Sequence, residues 1–89
     1  MGVRLGLADD VVVFIVSRGT NHDYRRVLWR VSRADAIKIC SDPRTASQNY
    51  MLCWTDRNID DEKLNRYVPD NGKHDAVLRD HGVTILKKA

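Results

Sequence analysis

Cysteine and long apolar runs are scarce in this chain, and each scarcity removes a class of protein. There are two cysteines, Cys40 and Cys53. A small secreted domain carries a denser disulfide framework, so the pair reads as free thiols packing like small hydrophobes, with a single bridge as the lesser reading. The longest apolar run, Val11 to Val16, has the length of a strand and falls far short of the roughly 18 residues needed to cross a bilayer. Asp9 and Asp10 interrupt the N-terminus before any apolar segment begins, so no signal peptide is expected and the cytoplasm is the default location.

Motifs that carry chemistry are missing as well. Cys40, Cys53, His74 and His81 supply metal-ligating atoms, but without a Cys-x-x-Cys pair or two histidines at one-turn spacing on a helix. Ser17, Ser32, Ser41 and Ser47 have no nucleophile elbow around them. Cys40 falls at the negative end of a predicted helix, where the dipole disfavours a thiolate. Asp60, Asp61 and Glu62 read as a helix start rather than as an acid–base pair. Gly2 and Gly6 precede the first strand, the wrong place for a phosphate loop. The expectation is a protein that is not an enzyme and uses no cofactor or metal.

What is present is one domain over residues 1–89, with 1–10 read as an N-terminal tail and 56–73 as a loop or short helix. The chain is 43% apolar and 30% charged, ordinary for a folded domain and too apolar for disorder. Val11 to Val16 is a strand of β-branched and aromatic residues, apolar on both faces, as a covered central strand is. Ser17 to Asp23 is turn chemistry. Tyr24 to Val31 alternates, with Val27, Trp29 and Val31 on one face and Arg26, Leu28 and Arg30 on the other.

Ser32 is an N-cap with Asp35 three residues on, opening a helix to Ser41 that buries Ala36, Ile37 and Cys40. Asp42-Pro43 ends it, and Arg44 to Gln48 is a polar loop. Asn49 to Thr55 is a third, interior strand. Asp60 would cap a short helix, Pro69 to Gly72 is a turn, and His74 to His81 is a helix stopped by Gly82 in the left-handed conformation. Val83 to Lys87 is a final strand. The order β-β-α-β-(α)-α-β predicts an α+β fold: a mostly antiparallel sheet of about four strands with two or three short helices.

Charge is unevenly placed. Arg18 to Arg44 holds seven basic residues against three acids, whereas Thr45 to Ala89 is neutral. That asymmetry points to an anionic partner. Arg18, Arg25, Arg26, Arg30, Arg33 and Arg44 are the candidate binding residues. On an unbroken strand Arg26 and Arg30 would share a face about 13 Å apart, from a rise of about 3.3 Å per residue. Nucleic acid is the first partner expected, gripped through its phosphates.

The alternative is a protein-interaction module docking on an acidic protein surface, of the kind phages and mobile elements use as inhibitors or adaptors. Both tryptophans are expected in the core rather than as base-stacking platforms. The doubly apolar first strand also suggests a homodimer packing sheet to sheet, balanced against cover supplied within one chain. No membrane partner is expected.

Overall fold

The computed structural model describes residues 9–19, 26–56 and 66–89. The elements are β1 (Asp10–Ser17), β2 (Val27–Ser32), α1 (Arg33–Cys40), a 3-10 turn (Pro43–Thr45), β3 (Tyr50–Thr55), α2 (Asp75–Asp80) and β4 (Lys87–Lys88). The strands form one antiparallel sheet in the order β3-β1-β2-β4. The α+β class and the four strands agree with the sequence pattern. Arg25 and the helix expected from Asp60 lie outside the described residues. No described helix is long and apolar enough to cross a membrane.

β1 is central because it is apolar on both sides. Val11 and Val13 face one cluster with Trp29, Val31, Ala36, Ile39, Leu52 and Val77. Val12, Phe14 and Val16 face a second cluster with Val27, against which Cys53 and Tyr67 pack. All four core residues of that second face are at most 5% exposed. These four side chains are covered within the single chain.

The alternation expected for β2 breaks at one residue. Val13 pairs with Trp29 while Phe14 pairs with Val27, so Leu28 has no partner on β1. An extra residue of this kind is a β-bulge, and it reverses the side-chain sense on either side of it. Val27 therefore joins Phe14 on the second face, and Leu28 joins Trp29 on the first. The bulge also removes the alternation that would have set Arg26 and Arg30 on one face.

α1 starts where Ser32 Oγ accepts the Asp35 N–H at 3.1 Å, as the capping pattern predicts. It buries Ala36 and Ile39, not Ile37, which is 48% exposed. The spacing of three carries the buried stripe one residue away from Ile37. Ser41 closes the helix, and Asp42 caps the 3-10 turn by accepting the Arg44 N–H at 2.8 Å, so the expected loop is partly regular.

β3 is an edge strand rather than an interior one, and Ala46 bridges to Met51. α2 ends in a Schellman motif: Gly82 (φ 63°) donates to the Arg79 carbonyl and Val83 to that of Leu78. The final strand is shorter than expected and lies later. Val83 and Ile85 pack onto the first cluster, and pairing with β2 begins only when Leu86 donates to the Arg30 carbonyl at 2.8 Å.

Candidate nucleic-acid interface

Four of the six candidate arginines are held by partners inside the chain. Arg18 Nε donates to the Ser47 carbonyl. Arg30 Nη1 reaches Asp10 Oδ2 at 3.1 Å. Arg33 Nη2 reaches Asp56 Oδ2 at 3.0 Å, and its guanidinium carbon lies 5.3 Å from the centre of the Trp54 ring. Arg44 clamps Asp42 through Nε at 3.1 Å and Nη2 at 2.8 Å, and extends Nη1 to Asp80 at 2.7 Å.

The Arg44 cluster ties the turn after α1 to the end of α2. Asp42 Oδ2 also meets His81 Nε2 at 2.9 Å. The Arg44 side chain and backbone, with His81, hold the Asp42 carboxyl well below the usual range. Hydrogen bonding to Arg44 likewise depresses Asp80. A guanidinium spent this way must break existing bonds before it can grip a phosphate.

The topology assembles a different basic surface at the β2–β4 edge. Arg26 is exposed just before β2. The Arg66 carbonyl accepts the Val27 N–H at 3.3 Å, and the Val27 carbonyl accepts the Val68 N–H at 2.8 Å. This brings exposed Arg66 beside the start of β2 and bridges Tyr67 to Val27. On the far side, β4 sets Lys87 opposite Arg30 and Lys88 opposite Trp29.

Arg30 pairs with Val12 on β1, so Arg30 and Lys87 occupy the second face, where Tyr67 packs. Lys87 Nζ lies 4.9 Å from the centre of the Tyr67 ring. Burial works against the charged form of Arg30, but Tyr67 and Asp10 beside it outweigh that and raise its pKa above the ordinary value. Arg26 and Arg66 thus stand at the start of β2, and Arg30 and Lys87 pair further along the same edge. Among the described residues, Asp10 is the acid paired with this group. The sequence pattern gives no hint of Arg66, Tyr67 and Lys87, because a neutral second half carries no signal of where the fold will take its cations.

Other chemistry-bearing groups have partners within the fold. His74 is buried, with Nδ1 2.7 Å from Asp70 Oδ1 and its backbone N–H donating to Asp70 Oδ2 at 3.0 Å. Its ring meets Trp29 edge-on at 5.8 Å. Trp29 is core, 2% exposed, as expected, and Trp54 is half-buried against the first cluster. A cleft of about 200 Å³ on the helix side is lined by Trp29, Asp70, Asp75, Leu78 and Lys88. It is smaller than the roughly 300–1,000 Å³ of most ligand pockets. Both oxygens of Asp70 are already engaged by His74.

Among the described residues no group of three metal-ligating side chains comes together. Burial pushes the Cys40 thiol up to about 12, with Cys53 nearby adding to it. Cys53 is raised by burial alone. In comparisons with known proteins, no family model, curated protein or solved structure matches the chain.

Proposed function

We propose that this domain is a non-enzymatic nucleic-acid-binding module that engages the phosphate backbone with the β2–β4 edge. The observation that carries the reading is the row of Arg26 and Arg66 at the start of β2 and Arg30 and Lys87 further along the same edge. Three exposed cations flank a half-buried arginine there, with Asp10 as its ion-pair partner. Of the arginines expected from the sequence, Arg26 and Arg30 belong to this surface. Arg33 and Arg44 are committed to Asp56, Asp42 and Asp80. Contacts of this kind position a nucleic acid without reading bases, so binding is salt-sensitive and weakly sequence-specific.

The test is a titration of fluorescent duplex and single-stranded DNA and RNA at low and near-physiological salt, beside an Arg26→Ala/Arg66→Ala double variant. About four phosphate contacts give a slope of log K against log salt near −3 to −4 on duplex. Removing two of the four halves that slope. Absence of binding at low salt removes the reading and leaves a protein-docking surface to be sought by nuclease-treated pull-down.

A further inference from the structure

Around Arg30, the β2–β4 edge contains two local conflicts that the chain does not resolve by itself. Arg30 and Lys87 are direct cross-strand partners, and like charges facing each other across antiparallel strands repel. Beside them the Tyr67 hydroxyl is buried and no acceptor takes its proton, a state that native proteins rarely leave uncompensated. The neighbouring guanidinium can only donate, so it offers the hydroxyl proton no acceptor. Arg30 has five N–H donors in a fixed fork, and Nη1 is the one that reaches Asp10.

One group of the right chemistry relieves both conflicts. It must be anionic, to sit between two cations, and it must present several acceptor oxygens, to use the guanidinium fork, the ammonium and the hydroxyl together. A tetrahedral phosphate has that form. Asp10, whose carboxylate already lies on Arg30, is the intramolecular anion that it displaces.

We propose that a single phosphate group seats between Arg30 and Lys87 beside Tyr67, competing with the Asp10 carboxylate for Arg30. The proposal rests on the nucleic-acid reading, and a backbone phosphate and a free phosphate are its two sources. The ammonium of Lys87, exposed and on a flexible stem, moves from the ring to the entering group. The Tyr67 hydroxyl gains the acceptor it lacks.

The experiment titrates the isotopically labelled full chain with inorganic phosphate and pyrophosphate. NMR follows the Arg30 Nε–H, and matched chloride serves as the control. The same proteins are titrated with labelled duplex by anisotropy. Five proteins are compared: the parent, Lys87→Ala, Tyr67→Phe, Asp10→Asn and the Arg26→Ala/Arg66→Ala double variant. Tyr67→Phe keeps the ring and removes only the hydroxyl, so thermal unfolding close to that of the parent shows that the fold is intact.

The seat predicts that pyrophosphate shifts Arg30. It predicts weakening by about tenfold in Lys87→Ala and a smaller loss in Tyr67→Phe, as expected for removing hydrogen bonds to a charged group. Asp10→Asn tightens binding severalfold by freeing the guanidinium. Pyrophosphate binding of this pattern without duplex binding supports the seat and sinks the nucleic-acid reading. Duplex binding that ignores Lys87→Ala and Tyr67→Phe but falls in Arg26→Ala/Arg66→Ala keeps that reading and overturns the seat. A polyglutamate peptide that shifts Arg30 more strongly than pyrophosphate also overturns it.

Discussion

Replacing Ile39 with alanine destabilises the domain strongly, while the same change at Ile37, two residues away on the same helix, leaves it almost unchanged. Ile39 is fully buried between α1 and the sheet, in contact with the cluster of Val11, Trp29 and Leu52. Truncating a buried isoleucine to alanine costs about 2–5 kcal/mol, the transfer of the deleted methyl groups plus the cavity left behind. Ile37 is 48% exposed, and surface changes of this kind stay within about 0.5 kcal/mol. The better helix propensity of alanine offsets part of any loss.

A domain of 89 residues has a total stability on the order of 4–13 kcal/mol at about 0.05–0.15 kcal/mol per residue. A loss of about 3 kcal/mol is therefore a large share of it and lowers Tm by roughly 12–24 °C. Urea unfolding followed by the fluorescence of buried Trp29 reads both variants against the parent. The opposite ranking, with Ile37→Ala the more damaging, would mean that α1 presents its other side to the sheet and would refute the packing described above.

The remaining predictions concern ionisable groups. Asp42 and Asp80 have depressed pKa values when folded, so their stabilising contribution is complete above the unfolded value near 3.9. It is lost as pH falls through the lower folded values. Thermal scans from pH 6 to pH 2 are expected to show the parent losing stability below about pH 4, with a shallower loss in Asp42→Asn. For the thiols, the raised value of Cys40 cuts its thiolate population at pH 8 by about a thousandfold relative to a free cysteine. Iodoacetamide followed by peptide mass mapping therefore finds Cys53 modified well before Cys40, and the reverse order contradicts the assigned burial.

Much of the fold was legible because local and global signals agree. Six apolar residues in a row specify β1, Ser32 with Asp35 starts α1, Pro43 stops it, and Gly82 ends α2. The differences trace to choices that no single segment can make. The extra residue at Leu28 is visible only when β1 and β2 are aligned, and it moves Val27 to the other face. The edge position of β3 depends on β2 taking the opposite side of β1. Ile37 and Ile39 are equally apolar, and only the direction from which the sheet approaches decides which is buried. Charge was the least legible feature, because a count along the chain cannot see that Asp10, Asp56 and Asp80 come back in space to meet Arg30, Arg33 and Arg44.

That distinction gives the nucleic-acid reading its sharpest control. If charge alone set affinity, removing any arginine would lower the salt slope by about one, since each phosphate left unneutralised keeps about one more counterion condensed on the duplex. Arg44 behaves differently. Arg44 holds two carboxylates, and a phosphate that recruited it would have to take the guanidinium from both of them. Arg44→Ala is therefore expected to leave the slope unchanged. It weakens the link between the turn after α1 and α2, which appears as a lower thermal midpoint rather than as a binding defect. Arg26→Ala has the opposite signature, a shallower slope with unchanged stability, because Arg26 is exposed and makes no ion pair among the described residues. Measuring slope and midpoint on both variants separates a surface that binds from a cluster that braces the fold. An Arg44 variant that loses slope without losing stability would return the interface to the α1–α2 side and displace it from the β2–β4 edge.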